Sequence, residues 1–381
     1  MPDRSIAPRR ALTLSIGFIA CIAILSGALA AETGAAPPSP AQLISDLGLH
    51  VDAHPVRERS GWRPPRTILV TPELHDELPL LKAAAPAVKF VEMSANTPAR
   101  DIAAADATFG VCSADVLARA KNLEWIQWLA AGVERCVRVP GVRERGILMT
   151  NMQRAAAASM AEHVMALMLA LNRNFPAFFH DQEQGRWGPE SGDMPALADL
   201  DGKTLLVVGL GGIGTEVAKR AHAFGMRVIA TRASGRSGPD YVSYVGLPAE
   251  LTALAKQADF VVNCAPLTPA TTGVFNAAFF AAMKPTAFFL SVGRGRSTVT
   301  NDLVAALREH RIAGAGLDVT DPEPLPPGHP LWTLPRVIIT PHVSGYTPIA
   351  DEMRVAILRE NLRRYIAGEA MLSVVNVERG Y

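Results

Sequence analysis

The sequence predicts an α/β protein with two parallel sheets, each covered by helices on both faces. Short apolar runs rich in β-branched residues alternate with helical stretches, which is the pattern of parallel strands joined by crossover helices. At residues 203–232 a glycine-rich turn separates an uncharged strand from an amphipathic helix, and a second strand follows. The length of 381 residues suggests two domains, each large enough to bury its own core.

The composition excludes several classes of protein. The formal net charge is +1, and no long basic run occurs, so we expect no nucleic-acid partner. The cysteines lack the spacing of metal ligands, and they imply neither a zinc site nor a disulfide framework. They are Cys21, Cys112, Cys136 and Cys264.

The N-terminal 31 residues have the pattern of an export signal. Three arginines in the first ten residues precede an uncharged apolar run over residues 11–31, and Ala28-Leu29-Ala30 resembles a signal-peptidase site. The run is nearly long enough to span a bilayer, so an uncleaved membrane anchor is the alternative. Both interpretations place the body of the protein outside the cytoplasm, either periplasmic or membrane-anchored, because the arginines stay inside. If the segment is not a working signal, the protein is cytoplasmic.

A proline-rich stretch follows, and we expect residues 32–65 to be a linker. Residues 66–151 then contain strands separated by helical pieces. The predicted strands lie at residues 67–70, 88–91, 107–111, 125–128 and 147–150. We assign residues 66–151 and 345–381 to one discontinuous substrate domain, since the final segment holds a helix that is expected to cross back.

A long helix is predicted at residues 155–172, and it is apolar almost all round. Such a helix has to be buried, either within the chain or against a partner. Glu162 and His163 near its middle argue against membrane insertion.

The glycine-rich turn has the organisation of a dinucleotide-binding unit, and we expect the dinucleotide-binding domain to cover residues 152–344. The glycines of a G-x-G-x-x-G turn allow a tight turn, close approach of the backbone to a pyrophosphate and close packing of helix on strand. The helix N-terminus then offers N–H groups to the phosphates. A plain glycine-rich turn is the alternative, but the flanking strands and helix favour the dinucleotide site. The predicted contacts are Gly209, Gly211, Gly212, Ile213 and Gly214.

The end of the second strand predicts NADP(H) as the cofactor, with NAD(H) as the second possibility. An NAD site places Asp or Glu at this position to bind the ribose 2′-OH, whereas here no acid occurs until Asp240. Arg232 can pair with a 2′-phosphate, and Thr231 or Ser234 can donate hydrogen bonds to it. A solvated basic loop is the alternative interpretation.

Three charged side chains follow three successive predicted strands, at the edge where open α/β sheets bind ligands. Arg294, Glu323 and His342 follow the strands predicted at residues 287–291, 314–319 and 337–340. Their types suit hydride exchange with a 2-oxo acid, because an arginine can hold the substrate carboxylate and a histidine can exchange a proton with the substrate oxygen. A glutamate beside that histidine favours its charged form. Each residue alone also has a structural interpretation: a surface arginine, a turn carboxylate or a helix-capping histidine.

From about Arg66 onward the chain resembles the D-isomer-specific 2-hydroxyacid dehydrogenases, and within them an NADP-preferring branch similar to glyoxylate/hydroxypyruvate reductases. Beyond the glycine turn, the matching stretches are Leu129-Ala130-Ala131-Gly132-Val133, Ala161-Glu162-His163, Pro266-Leu267-Thr268, Arg294-Gly295, Leu317-Asp318-Val319, Glu323-Pro324 and Pro341-His342. We therefore expect a Rossmann dinucleotide-binding domain inserted in a flavodoxin-like substrate domain.

The resemblance also implies roles for particular residues. Arg294, Glu323 and His342 are the catalytic residues, and backbone N–H groups of Ala131, Gly132 and Val133 bind the substrate carboxylate. The resemblance implies that the helix at residues 155–172 forms a homodimer. Further cofactor contacts are expected at Asp318, near the nicotinamide carboxamide, and at Pro266 and Thr271.

Departures from the family pattern concern the subfamily rather than the reaction. Ser291, Thr300 and Thr320 stand where Asn, Asp and Phe are usual, and Pro341 argues against the formate dehydrogenases, which have Gln before the histidine.

Two other functions are considered. The protein could be a dinucleotide-sensing binding protein of the same fold, or a dehydrogenase of another small oxyanion such as phosphite. We expect residues 108–113 to help select the substrate side chain.

Overall fold

Two parallel sheets organise the chain in this computed structural model, which describes residues 38–188 and 197–381. The predicted signal peptide or anchor at residues 1–31 lies outside the described residues. Residues Ser39–Tyr381 form one unit. Among the described helices, none combines the length and the apolar character needed to cross a bilayer.

The elements of the described residues are numbered in chain order. The strands are β1 (Val51–Pro55), β2 (Thr67–Val70), β3 (Lys89–Glu92), β4 (Ala107–Phe109), β5 (Trp125–Gln127), β6 (Leu148–Thr150), β7 (Thr204–Val208), β8 (Arg227–Thr231), β9 (Tyr244–Gly246), β10 (Phe260–Asn263), β11 (Phe288–Ser291), β12 (Gly314–Leu317), β13 (Val337–Ile339) and β14 (Ala370–Leu372). The helices are α1 (Pro40–Leu47), α2 (Leu78–Ala84), α3 (Ala99–Ala103), α4 (Ala114–Arg119), α5 (Ala157–Asn172), α6 (Phe175–Glu183), α7 (Gly212–Ala223), α8 (Leu251–Ala255), α9 (Ala277–Ala282), α10 (Thr300–Arg308) and α11 (Pro348–Ala367).

The larger sheet has seven parallel strands in the order β13-β12-β11-β10-β7-β8-β9. Strands β7, β10, β11 and β12 are buried along their whole length, as expected for a sheet covered on both faces. Helices α5 and α7 cover one face, and α8, α9 and α10 cover the other. The strand order reverses direction at β7, and the crevice at such a point is where α/β sheets bind nucleotides.

The smaller sheet has five parallel strands in the order β3-β2-β4-β5-β6, which is the flavodoxin-like order. The final helix α11 packs against this sheet although it follows the larger one in the chain. Its Tyr365 ring stacks on Trp125 with centroids 4.6 Å apart, and its Asn361 donates a hydrogen bond to Gln127 Oε1 at 2.8 Å. The two parallel sheets confirm the predicted fold class.

Helix α5 is buried mainly within the chain. Ala161, Val164, Met168 and Leu171 are fully buried against α7 and the strands of the larger sheet. Glu162 lies on its outer side and pairs with Arg220 of α7 at 3.2 Å. The apolar character of this helix is therefore largely explained by contacts inside one protomer.

The prediction of a linker at residues 32–65 is wrong from Ser39 onward, because a helix and a strand lie there. Ser39 caps α1 by accepting a hydrogen bond from the Gln42 N–H at 3.3 Å, and the Gln42 side chain accepts one from the Ser39 N–H at 3.1 Å. Leu43 is buried. Strand β1 pairs antiparallel with β14. The proline-rich composition suggested a linker, but the segment contains the capped helix α1, whose Leu43 packs in the core.

The structure contains one disulfide among its described residues, which the spacing of the cysteines did not imply. Cys112 and Cys136, 24 residues apart, are joined by a disulfide, while Cys264 is a free thiol. Cys112 follows β4 and Cys136 follows β5, and these are adjacent parallel strands. The pairing depends on this adjacency, which the spacing of the cysteines in the sequence does not show.

Candidate active site

The three predicted catalytic residues lie after three neighbouring strands of the larger sheet. Arg294, Glu323 and His342 follow β11, β12 and β13. The first two loops are in direct contact, because a Cβ added at Gly295 would lie 1.8 Å from the carbonyl oxygen of Thr320. The absence of a side chain at Gly295 thus lets the loop that carries Arg294 pack on the loop that leads to Glu323.

His342 and Glu323 form a hydrogen-bonded pair. His342 Nδ1 lies 2.6 Å from Glu323 Oε1, and each side chain is about two-fifths exposed. Since Nδ1 faces the carboxylate, Nε2 is the ring nitrogen that can reach a substrate oxygen. The carboxylate thus fixes the orientation of the imidazole, as the proposed acid/base role of His342 requires.

Asp318 holds the loop that carries His342. Its Oδ1 accepts hydrogen bonds from the Thr340 hydroxyl at 2.6 Å and the Val343 N–H at 2.9 Å, and its Oδ2 accepts one from the Ser344 N–H at 3.1 Å. Burial alone raises the pKa of Asp318, but hydrogen bonds from Ser344, Thr340 and Val343 outweigh it and hold the pKa below its usual range. Asp318 thus holds the loop after β13 by three hydrogen bonds, whereas the contact with the nicotinamide carboxamide that the family resemblance implies stays a prediction.

His163 of α5 extends this network from the opposite side. Its Nε2 lies 3.0 Å from the Thr340 hydroxyl and 3.8 Å from Asp318 Oδ1. The sequence analysis used His163 as part of a matching stretch and as an argument against membrane insertion, but gave it no role in the site. Its contact with Thr340 places it beside the loop that carries His342.

Arg294 reaches across to the smaller sheet. Its Nε donates a hydrogen bond to Glu134 Oε1 at 2.7 Å, and its Nη1 donates one to the Gly293 carbonyl at 2.8 Å. A Cβ added at Gly132 would lie 1.7 Å from Arg294 Nη2. The Nη2 edge of the guanidinium therefore lies directly against the predicted substrate loop, and Gly132 is required there for its lack of a side chain.

The substrate loop at Ala131, Gly132 and Val133 follows β5 and is held by its carbonyl groups. The Trp128 indole N–H donates to the Gly132 carbonyl at 2.9 Å, and Asn151 donates to the Ala131 carbonyl at 2.8 Å. The Val133 side chain is buried and anchors the loop in the core. Only hydrogen-bond donors can bind an anion, so the N–H groups are the backbone groups with which this loop can bind a carboxylate.

The glycine turn after β7 fits a pyrophosphate. Gly209 has a φ of 93°, in the left-handed region, and a Cβ at Gly214 would lie 2.2 Å from the Gly209 carbonyl oxygen. Gly211 faces open space, with no atom within 4 Å of an added Cβ. Helix α7 starts at Gly212, and Ile213 packs against the core beneath it. A tight turn, close packing and a helix that starts directly after the turn are the features that a dinucleotide phosphate site needs.

The loop after β8 presents Arg232. Its Nε donates to Ser234 Oγ at 2.9 Å, and its Nη1 donates to the Ser237 carbonyl at 3.0 Å. Thr231 is buried, and its carbonyl accepts hydrogen bonds from Gly209 and Leu210 of the glycine turn. Of the predicted selectivity residues, Arg232 and Ser234 thus remain accessible to a ligand, whereas Thr231 ties β8 to the turn.

Pro266 and Thr271 form one turn after β10. The Thr271 hydroxyl donates to the Pro266 carbonyl at 2.6 Å and accepts from the Thr268 N–H at 2.8 Å. The turn lies at the same edge of the sheet as the glycine turn, since β10 and β7 are parallel neighbours.

Comparisons with known proteins agree with this geometry. Residues 165–344 match the family model described as D-isomer specific 2-hydroxyacid dehydrogenase, NAD binding domain. The glyoxylate reductase/hydroxypyruvate reductase of Mus musculus is 33% identical over 252 residues, which cover 66% of this chain and 76% of the relative. This chain belongs to the D-isomer specific 2-hydroxyacid dehydrogenase family. The resemblance drawn from the sequence is confirmed, and the protein is an oxidoreductase.

Other members of the family extend the comparison. The D-3-phosphoglycerate dehydrogenase of Methanocaldococcus jannaschii is 36% identical over 265 residues, although this chain spans only about half (49%) of that longer relative. A family protein from Aeromonas salmonicida has a solved structure with a TM-score of 0.70 and 31% identity, covering 82% of this chain and 99% of that one. An NADPH-dependent glyoxylate/hydroxypyruvate reductase from Sinorhizobium meliloti, solved with NADP and sulfate, gives a TM-score of 0.73 and 26% identity, covering 83% and 100%.

The residues of this dehydrogenase that depart from the family pattern all have partners in the structure. Ser291 Oγ accepts a hydrogen bond from Asn263 at 3.1 Å. The Thr300 hydroxyl donates to the Asp321 carbonyl at 2.6 Å, and the Thr320 hydroxyl donates to the Pro322 carbonyl at 2.9 Å. These hydrogen bonds lie close to the predicted catalytic residues, and none of the three side chains replaces one of them.

Glu134 is the site residue of this dehydrogenase that the sequence did not single out. The available signal was its position directly after the matching stretch that ends at Val133. A single glutamate in a loop has no local pattern of its own, and its importance becomes visible only through the ion pair with Arg294.

Proposed function

We propose that this protein is an NADP(H)-dependent dehydrogenase that reduces small 2-oxo acids to D-2-hydroxy acids, with glyoxylate and hydroxypyruvate as the first candidate substrates. The observation that carries the proposal is the His342–Glu323 pair at 2.6 Å, on the same sheet edge as an arginine that lies against an anion-binding loop. Relatives described as glyoxylate/hydroxypyruvate reductases support the substrate class.

Each residue has a defined task in this reaction. The reduced nicotinamide supplies the hydride. The Nη2 edge of Arg294 and the N–H groups of the loop at residues 131–133 hold the substrate carboxylate and orient the carbonyl. His342 donates the proton on Nε2 to the substrate oxygen and takes it back in the reverse direction. Glu323 stabilises the charged imidazole through Nδ1.

The cofactor proposal rests on the glycine turn and on Arg232. No carboxylate lies at the end of β8 to bind a ribose 2′-OH, and Arg232 with Ser234 offers a positive, hydrogen-bonding surface for a 2′-phosphate. Solved relatives of the family that contain NADP or NADPH support this cofactor.

The test is a comparison of the wild type with His342→Ala. Oxidation of NADPH is measured with glyoxylate, hydroxypyruvate, pyruvate and branched 2-oxo acids. We expect kcat to fall roughly 100- to 10,000-fold in the variant, which is the usual contribution of general acid–base catalysis, with unchanged affinity for NADPH. If no substrate is turned over faster by the wild type than by the variant, the proposed reaction fails, and the alternative of a dinucleotide-sensing binding protein of the same fold gains support. Oxidation of phosphite in the reverse assay would indicate the other oxyanion activity.

We further propose that the body of the protein is exported. The arginines and the apolar run of residues 1–31 support this, and so does the Cys112–Cys136 disulfide. Disulfides persist in oxidising compartments such as the periplasm and are rare in the cytosol, where thiols are kept reduced.

A homodimer through the segment that contains α5 is proposed as well. Helix α5 itself is largely covered by its own chain, but the α6 helix that follows it exposes Phe175 and Phe179 at 44% and 57%. Exposed aromatic side chains close together indicate a surface that binds a partner. Light scattering should give about twice the mass of one protomer, and a monomeric mass would contradict the proposal.

A further inference from the structure

The ion pair between Glu134 and Arg294 joins the two sheets at the active site. Glu134 follows the substrate loop of the smaller sheet, whereas Arg294 follows β11 of the larger one, 160 residues later. The side chains are 18% and 25% exposed, so both are largely removed from water. A pair in this environment is screened far less than one on the surface.

Glu134 determines which part of Arg294 faces the substrate loop. A guanidinium is planar, and its donors have fixed directions. Glu134 takes Nε and the Gly293 carbonyl takes one hydrogen of Nη1, so both the plane and the rotation of the group are set. The Nη2 edge then lies against Gly132, where it can hold a carboxylate together with the loop N–H groups.

Glu134 also places a negative charge beside the substrate loop. Its Oε2 would lie 2.8 Å from a Cβ at Gly132. Burial raises the pKa of Glu134, but the charge and hydrogen bond of Arg294 outweigh this effect, with a smaller contribution from Arg135, and the pKa is held below its usual range. The carboxylate is therefore ionised at neutral pH and neutralises part of the positive charge of Arg294.

We propose that Glu134 is a positioning residue that orients Arg294 and makes the site favour 2-oxo acids with a single carboxylate. One substrate carboxylate is matched by the Nη2 edge and the loop N–H groups. A second carboxylate on the substrate would meet Glu134 and be repelled. The proposal rests on the function proposed above and specifies the substrate class of that same site.

Two variants separate orientation from charge. Glu134→Ala removes both, and we expect kcat/KM for pyruvate or glyoxylate to fall roughly 10- to 100-fold through a higher KM and a lower kcat, with the KM for NADPH unchanged. Glu134→Gln keeps an acceptor for the Arg294 Nε–H, so its kcat/KM should fall less than that of Glu134→Ala. The control is Glu144→Gln, which alters an exposed carboxylate that accepts the Gly141 N–H, and it should match the wild type. Circular dichroism verifies that each variant is folded.

The effect of the Glu134 charge is measured by comparing kcat/KM for a dicarboxylate substrate with kcat/KM for a monocarboxylate substrate. In Glu134→Gln, the ratio of kcat/KM for oxaloacetate to that for pyruvate should rise on the order of 3- to 10-fold, because the repelling charge is gone. A purely structural role of Glu134 would lower both values together and leave the ratio unchanged. An unchanged ratio, or wild-type KM and kcat for pyruvate in Glu134→Ala, would overturn the proposal.

A binding measurement distinguishes failure of the proposal for Glu134 from failure of the proposed reaction. Calorimetry with oxamate, a monoanionic analogue of a 2-oxo acid, is performed on the NADP-loaded wild type and both variants. If the wild type turns over no 2-oxo acid but binds oxamate more tightly than Glu134→Ala does, the proposed reaction fails while the role of Glu134 stands. Equal oxamate affinity in all three proteins would refute the role of Glu134.

Discussion

Arg232 is held in place by its own loop. Hydrogen bonds to Ser234 and to the Ser237 carbonyl engage Nε and Nη1, so the side chain is oriented before a ligand arrives. A second arginine, Arg236, lies in the same loop but pairs with Glu250 at 2.7 Å and donates to the Tyr244 hydroxyl at 2.9 Å. The charge of Arg236 is thus largely matched by a protein carboxylate, whereas that of Arg232 can be matched by a phosphate.

This difference predicts distinct effects of two substitutions on cofactor use. A hydrogen bond to a charged group is worth about 1.5–3 kcal/mol, so Arg232→Ala should lower kcat/KM for NADPH roughly 10- to 150-fold and leave NADH kinetics nearly unchanged. Arg236→Ala serves as the control and should affect NADPH far less. Steady-state kinetics with both cofactors provide the measurement. Equal losses with NADPH and NADH, or a wild type that prefers NADH, would show that Arg232 does not recognise the phosphate.

The substrate loop is held by several contacts that differ in chemistry. Two hydrogen bonds engage its carbonyls, the buried Val133 anchors its end, and the Cys112–Cys136 disulfide ties the chain just beyond it to the loop after β4. That second loop belongs to residues 108–113, which we expect to contact the substrate side chain. The disulfide therefore connects the two segments that we propose to surround the substrate.

Reduction of this disulfide is predicted to weaken substrate binding. A disulfide that closes a loop of this length stabilises a protein by about 3 kcal/mol, mainly by restricting the unfolded chain. The double variant Cys112→Ser/Cys136→Ser should have a lower Tm and a higher KM for the 2-oxo acid, with the KM for NADPH unchanged. Kinetics and thermal unfolding with and without dithiothreitol measure both effects.

The free thiol is the control in that experiment. Burial raises the pKa of Cys264 to about 12, so this thiol is protonated and a poor nucleophile at neutral pH. The response to dithiothreitol should persist in Cys264→Ser and be absent from the Cys112→Ser/Cys136→Ser variant. If the response to dithiothreitol disappears in Cys264→Ser, the effect comes from Cys264 and not from the Cys112–Cys136 disulfide, and the prediction is wrong.

For the chain as a whole, two separate observations support the proposal of export: the N-terminal segment and the disulfide. Residues 1–31 have the charge and hydropathy of a signal or anchor, and the disulfide between Cys112 and Cys136 is of the kind found in oxidising compartments. The two features lie far apart in the chain and point to the same location.

We predict that the mature protein begins near Ala31 or Glu32 if the signal is cleaved. N-terminal sequencing of the protein from the exported fraction tests this. An uncleaved anchor would instead leave Met1 in place and recover the protein with the membranes. Recovery of an intact chain in the soluble cytoplasmic fraction, with Cys112 and Cys136 reactive toward a thiol reagent, would contradict export.

The sequence by itself determined the features that depend on local chemistry. Apolar, β-branched runs such as residues 204–208 and 260–263 indicated buried parallel strands, and these are strands β7 and β10 of the larger sheet. The glycine turn could be recognised because its backbone conformations and close contacts require glycine at fixed spacing. Arg294, Glu323 and His342 could be grouped because the carboxyl ends of parallel strands share one edge, and the structure pairs two of them directly.

Only the tertiary structure decided the contacts between distant segments. Glu134 meets Arg294 because the edges of the two sheets come together, and Cys112 meets Cys136 because β4 and β5 are neighbours. Helix α1 has a capping pattern in its own sequence, but the burial of its Leu43 depends on the core against which it packs, which the sequence does not show. A carboxylate, a thiol or one apolar side chain has no periodic pattern in the sequence, and its partner is set by the packing of the whole chain.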